Sequence, residues 1–210
     1  MEKNKLKKLI KKIFINHKLS KKHATICADA LVNAELVGAP SHGLSRLKMY
    51  CDRINKKVIN PRPNIKVKKI SQSIAHVDAN NSIGFVAADI GIKKAIENAK
   101  KTGIGLVAIK NSGHYGLSGY YAEQAVKKNL IVFAFTNAPP AIAPHGALKS
   151  LFGTNPICFG TPTSSKIPFI LDTSVSTINR GKIRIAARNG EKIPEGVALD
   201  KFGKPTTDAK

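Results

Sequence analysis

Residues 104–136 read IGLVAIKNSGHYGLSGYYAEQAVKKNLIVFAFT. Residues 104–109 are apolar and rich in branched side chains, which suit the pleated surface of a strand. Residues 113–119 carry glycine at positions 113, 116 and 119 and read as a tight turn. Residues 119–129 keep helical spacing, and 130–136 form a second apolar run, predicted as a buried strand. Strand, Gly-rich turn, helix and strand in that order argue an α/β chain with at least part of its sheet parallel.

Upstream, residues 74–78 read as a short strand and 82–101 as an amphipathic helix stopped by Gly103. Downstream of Pro139-Pro140 the pattern becomes strand and loop, with strands predicted over 156–162, 169–172 and 182–187. From Gly190 the chain is polar and turn-rich. The first 60 residues differ. Leu6, Leu9, Ile10, Ile13 and Phe14 form one helical stripe over 3–17. Ser20 is positioned to cap a helix over 21–37, and Ser41 to cap a third over 42–57 that buries Leu44, Leu47, Tyr50 and Ile54. Asn60-Pro61-Arg62-Pro63 is a boundary. The expected organisation is a helical unit over 1–62 and an α/β unit over 63–210, with no internal repeat.

The chain has 210 residues and a formal net charge of +22, from 35 Lys+Arg against 13 Asp+Glu. At 42% hydrophobic it is neither a disordered tail nor a collagen-like repeat. Such a charge raises a nucleic-acid-binding reading. The basic residues, however, are overwhelmingly lysines spread along the chain, with arginine only at positions 46, 53, 62, 180, 184 and 188. That pattern reads as a solvated surface without a specific nucleic-acid partner. No apolar run is long enough to span a membrane, and the lysine-rich start lacks a signal-peptide core. Cys27, Cys51 and Cys158 are far apart, without zinc spacing, and read as small buried hydrophobes in a cytoplasmic protein. No metal site is expected.

Two segments carry candidate chemistry. Gly113-His114-Tyr115-Gly116-Leu117-Ser118-Gly119 lies between a strand and a helix, where backbone N–H groups can hold phosphate. Its GxxGxxG spacing is not the Rossmann pattern, so the residues alone favour an ordinary tight turn over a phosphate site. In Ser41-His42-Gly43-Leu44-Ser45-Arg46, His42 and Arg46 are four apart and are predicted to share a helix face. Arg46 can grip a carboxylate and His42 can pass a proton to a neighbouring carbonyl oxygen. Ser41 can cap the helix or set the imidazole tautomer. There is no GxSxG elbow for a Ser–His hydrolase.

These segments resemble the type-2 malate/L-lactate dehydrogenase family, which includes ureidoglycolate dehydrogenase, sulfolactate dehydrogenase, 2,3-diketogulonate reductase and Δ1-piperideine-2-carboxylate reductase. The similarity is carried by Ser41-His42-Gly43-x-x-Arg46-Leu47-x-x-Tyr50 and Asn111-Ser112-x-His114-x-Gly116-x-x-Gly119-Tyr120-Tyr121. It continues through Thr136-Asn137-Ala138-Pro139-Pro140, Gly153-Thr154-Asn155-Pro156, Asp172-Thr173-Ser174 and Arg180-Gly181-Lys182. The resemblance implies a non-Rossmann mixed α/β fold, NAD or NADP as cofactor, a homodimer at full length, and hydride transfer to or from a small 2-hydroxy or 2-oxo acid. It implies His42 as proton donor with Ser41 beside it, and Arg46 and Arg180 as substrate-binding residues. His114 is the competing acid–base residue. Gly116, Leu117, Ser118, Ala138, Asp172, Thr173 and Ser174, with His114, match cofactor segments.

Two departures stand out. Lys182 occupies a position where some members use an acid to complete a relay with Ser and His. The family also continues past Asp208-Ala209-Lys210, so a C-terminally truncated chain is expected. The remaining alternatives are a basic nucleic-acid-binding protein and an inert fragment or pseudoenzyme.

Overall fold

The first three helices fold because their apolar stripes meet. In the computed structural model, which describes residues 2–210, α1 (Lys3–Asn16) buries Ile10 and Phe14 against α2 (Lys21–Leu36). Ser20 caps α2 as predicted, its hydroxyl accepting the His23 N–H at 3.1 Å. Ala24, Cys27, Ala28 and Leu31 form the buried side of α2. The core continues through Tyr50 and Ile54 of α3 (Leu47–Asn55) to Phe85 and Val86 of α4 (Gly84–Thr102). Each large side chain taken fully out of water contributes about 1.5–3 kcal/mol.

Two three-stranded sheets follow. In the first, β1 (Lys66–Lys69) pairs antiparallel with β2 (Ile74–Ser82), and β2 pairs parallel with β3 (Leu106–Ser112). Helix α4 is the crossover between β2 and β3, which makes part of the sheet parallel as expected, whereas the strands on either side of the Gly-rich turn, β3 and β4, lie in different sheets. The second sheet orders β4 (Val132–Phe135), β5 (Ile157–Thr161) and β6 (Phe169–Thr173), all antiparallel. Helix α5 (Gly119–Val126) covers one face of it, packing Ala122, Ala125 and Val126 on Val132 and Cys158. Helix α6 (Arg180–Asn189) closes the ordered elements. All three cysteines are free and buried.

Three expectations are corrected. The helix predicted over 42–57 is broken. Residues Pro40–His42 and Leu44–Arg46 form separate 3-10 turns, and α3 begins only at Leu47. Gly43, extended between them at φ −95° and ψ −134°, prevents one continuous helix, and the Glu35 carboxylate accepts the Leu44 N–H at 2.6 Å. Ser41 is therefore not a helix cap. The strand predicted over 182–187 is helix α6. Alternation of Ile183 and Ile185 suggested period two, but Asn179 caps Lys182 N–H at 2.9 Å and Gly190 takes the left-handed conformation at φ 70° that ends a helix. Finally, β4 is not buried. Val132 points inward, but Phe133 and Phe135 are 60% and 68% exposed, because α5 covers only one face of the sheet.

Replacing Glu35 with Ala should remove the partner of Leu44 N–H and destabilise the chain by about 1–2 kcal/mol. Urea unfolding measures the change. An unaltered midpoint would mean that the 3-10 turns do not depend on this carboxylate.

Candidate active site

The Ser-His-Gly-x-x-Arg segment is ordered by its own polar groups. The Arg46 side chain folds back and its Nε donates to the Ser41 carbonyl at 2.7 Å. The Ser41 hydroxyl lies 3.0 Å from Nδ1 of His42. His42 and Arg46 thus converge through two short turns, not through the shared helix face that their spacing suggested. The His42 ring stacks on His114, with centroids 5.7 Å apart and planes 21° from parallel. Tyr50, wholly buried, places its phenol oxygen 2.6 Å from His114 Nδ1.

The turn after β3 brings His114 to this point. Gly116 adopts φ 81°, and a Cβ there would lie 2.6 Å from the Phe85 ring, so only glycine fits the turn and the contact together. The Gly116 N–H points back to His114 Nδ1 at 3.2 Å. Ser118 is buried, its hydroxyl 2.8 Å from the Tyr115 hydroxyl. At the start of α5 the Gly119 N–H donates to Asp172 Oδ2 at 2.7 Å. A carboxylate already occupies that N–H, so this group of the Gly-rich segment is not open to phosphate.

Ala138, Thr173 and Ser174 make contacts local to their own segments. Ala138 N–H donates to Asn155 Oδ1 at 2.9 Å, and the Thr173 and Ser174 hydroxyls donate to nearby backbone carbonyls. Leu117 is half-buried in the same turn as Gly116. Helix α6 approaches from the other side. A Cβ on Gly181 would lie 2.9 Å from Ser41 Cβ and 3.2 Å from the Arg46 guanidinium. Arg180 is brought to the site by that contact. Lys182 is exposed at the same helix start, its backbone N–H on the Asn179 cap.

Burial and positive charge set the electrostatics. His42 is held below its ordinary pKa first by burial and then by Arg46, while Asp172 pulls it back up. His114 is pushed down to about 3 by burial, with His42, Arg46 and Arg53 adding to the effect. Burial also lowers Arg46, followed by Arg184, and Arg188 and Arg180 act in the same direction. Arg180, Arg184 and Arg188 fall at i, i+4 and i+8 of α6, one stripe facing Arg46. Every ion pair among the described residues uses a lysine, and none uses an arginine. A guanidinium keeps its charge under these conditions, so this cluster calls for an anion. Among the described residues no three metal-ligating side chains converge.

Sequence reasoning missed Tyr50 as a partner of His114, and missed Arg184 and Arg188. The arginine spacing was available as a signal, but reading 182–187 as a strand hid it. In the folded chain, Arg46→Gln should move the His42 pKa up toward the ordinary range, because it removes a depressing cation. Asp172→Asn should move it further down, because it removes the one charge that raises it. Proton NMR titration of the ring measures both, and shifts of the opposite sign would contradict this electrostatic account.

The whole chain, residues 1–210, matches the malate/L-lactate dehydrogenase family. The malate/(S)-sulfolactate dehydrogenase of Methanothermus fervidus is 44% identical over 200 residues, covering 95% of this chain and 59% of that protein. The (2R)-3-sulfolactate dehydrogenase (NADP(+)) of Chromohalobacter salexigens is 42% identical over 187 residues, covering 88% of this chain and 55% of that protein. The chain therefore spans a little over half the length of these relatives. Malate dehydrogenase from Entamoeba histolytica superposes with a TM-score of 0.95 at 32% identity, over 100% of this chain and 58% of its own. No helix among the described residues is long and apolar enough to cross a membrane. The mixed α/β fold with its two small sheets is the fold of these dehydrogenases, and the chain belongs to the malate/L-lactate dehydrogenase family.

Proposed function

We propose that this chain is the part of an NAD(P)-dependent 2-hydroxy-acid dehydrogenase that carries its acid–base group and its carboxylate grip. The observation that carries the reading is the closed Ser41–His42–Arg46 arrangement, with Arg46 Nε on the Ser41 carbonyl and the Ser41 hydroxyl at His42 Nδ1. Residues 1–62 supply these groups, and residues 63–210 supply His114 and the cofactor segments.

The bound nicotinamide supplies the hydride, or accepts it in the reverse direction. The uncompensated arginines fit both this anionic cofactor and an acid substrate. Gly116, Leu117 and Ser118, with Ala138, Asp172, Thr173 and Ser174, are assigned to the cofactor. Asp172 uses Oδ2 on Gly119, which leaves Oδ1 to accept from a hydroxyl. Arg46 spends Nε on Ser41 and keeps its terminal nitrogens for the substrate carboxylate, with Arg180 beside it. Protonated His42 donates from Nε2 to the carbonyl oxygen, while Nδ1–H is held by the Ser41 hydroxyl. In the oxidation direction neutral His42 takes the same proton back.

An acid anion on Arg46 offsets the charge that holds the His42 pKa down. Binding therefore raises that pKa and draws a proton onto the imidazole. Oxalate, an unreactive stand-in for the acid, should bind more tightly as pH falls from the bound-state to the free-state pKa of His42. Calorimetry in two buffers of different ionisation enthalpy should show proton uptake in that window. Binding that weakens as pH falls would contradict the linkage.

A cytoplasmic homodimer completes the reading. Three free, buried cysteines fit a reducing compartment, and the exposed face of β4 and β6, with Phe133, Phe135 and Phe169, fits association. The nucleic-acid alternative is not favoured, because the relatives are dehydrogenases.

The test is oxidation of NADH or NADPH with a panel of 2-oxo acids. At least one acid should be reduced. His42→Ala should cut turnover by about 10²–10⁴-fold and leave cofactor binding largely intact. Unchanged turnover would remove His42 from the chemistry. No oxidation by a chain extended to the relatives' length would remove the dehydrogenase reading.

A further inference from the structure

Two histidines stack at the centre of the site, and either one is chemically suited to exchange a proton. The hydrogen bonds around His114 distinguish them. Its Nδ1 faces the Gly116 backbone N–H at 3.2 Å and the Tyr50 phenol at 2.6 Å. A backbone N–H can only donate, so Nδ1 carries the lone pair. The phenol then also donates to Nδ1. The ring's one remaining proton sits on Nε2, an assignment made by the hydrogen-bond network itself. Within the described residues no hydrogen bond holds Nε2.

We propose that Tyr50 is a positioning residue that fixes His114 as a permanent Nε2–H donor and leaves proton exchange to His42. The assignment rests on the dehydrogenase reading for its catalytic meaning, but its structural content stands apart from turnover. Tyr50 is suited to the task. Its ring is wholly buried on α3 and packs on Phe85, with centroids 4.9 Å apart. Burial raises its phenol pKa, so the hydroxyl keeps the proton it donates. The groups that act on His114 all oppose its protonation. His42 and Arg46 do so from the 3-10 turns and Arg53 does so from α3, each adding to the cost of burial. A second N–H proton has no place on this ring. His42 differs, because its Nδ1 meets a hydroxyl that can accept as well as donate, and Asp172 favours its charged form.

The arrangement gives the site one fixed donor beside one proton-exchanging group. A fixed Nε2–H can hold an oxygen of the substrate or of the cofactor without itself changing protonation through the reaction. That differs from a relay in which both rings titrate.

Nitrogen-15 NMR of the imidazoles in the full 210-residue chain tests the assignment. In the unaltered chain His114 should show one pyridine-like Nδ1 and one pyrrole-like Nε2, unchanged across the range of about pH 5 to 8 in which an ordinary histidine titrates. An Nδ1–H tautomer, or titration within that range, would overturn the proposal without any variant being made. Tyr50→Phe keeps the ring and removes the donor. It should mix the two tautomers of His114 and shift its pKa upward, because a bond to the neutral form is lost. If Tyr50→Phe folds and leaves both tautomer and titration as they were, Gly116 alone fixes the ring and Tyr50 has no positioning role. Turnover with NADH and a 2-oxo acid is read separately. The expected spectrum, together with no turnover by a chain extended to the relatives' length, would sink the dehydrogenase reading and leave the Tyr50 assignment standing.

Discussion

The hydrogen bond from the Tyr50 phenol to His114 Nδ1 joins residues 64 apart in sequence, and the site is assembled around it. Tyr50 belongs to α3 and His114 to the turn after β3, so the bond ties the helical start of the chain to its first sheet. Phe85, at the beginning of α4, fixes the other side of the same ring. The helical core and the crossover helix therefore meet at one side chain. A phenol this deeply buried needs a partner, since an unpaired polar group in an apolar interior is costly. The requirement works in both directions. The core holds the phenol in place, and the phenol specifies where the turn carrying His114 must lie.

The same burial that packs Tyr50 also decides how charge is distributed. Removing water penalises every charged form, and the two histidines respond by becoming neutral. Arg46 has no such option, because a guanidinium does not give up its proton in a protein. It remains a cation beside the α6 arginines, with its Nε donating to the Ser41 carbonyl. Neutral rings next to a retained cation form a site biased toward anions and poised to take a proton when one arrives. Asp172 moderates this bias. One of its oxygens is spent on the start of α5, and its charge is the one that favours His42 in the protonated state.

Much of the fold was legible in the residues. The α1 stripe, the Ser20 cap, the crossover helix and the strand–turn–helix at 104–126 follow from local spacing and capping, and they appear where expected. The misses have two causes, competing local signals and burial set by other segments. Local pattern cannot report what another segment does. Glu35 on the preceding helix α2 accepts the Leu44 N–H, so the helix predicted from Ser41 starts instead at Leu47. Residues 182–187 satisfy two periods at once, and the caps at Asn179 and Gly190 decide for helix. Exposure of Phe133 and Phe135 depends on what covers the sheet, which a strand's own residues do not encode. At the site, the motifs located Ser41, His42, Arg46 and His114 individually. The stacking of the two rings and the donors on His114 arise only when α3, α4 and the 113–119 turn come together.

The net charge of +22 divides into two populations with different physics. The lysines meet acids mostly along helices, as in Lys48–Asp52, Lys101–Glu97 and Lys127–Glu123, where exposed pairs contribute between nothing and about 1 kcal/mol. Their collective effect is a long-range positive potential, which draws small anions inward and weakens with salt over a Debye length of about 8–10 Å. The arginines form no ion pair among the described residues, and four of the six gather at Arg46. Arg46 acts at contact, in a partly dehydrated place where bulk salt screens poorly. Ionic strength should therefore change how fast an anion arrives more than how firmly Arg46 holds it. The composition that first suggested a nucleic-acid surface is better understood as a diffuse cationic coat around the short-range, directional anion site proposed at Arg46.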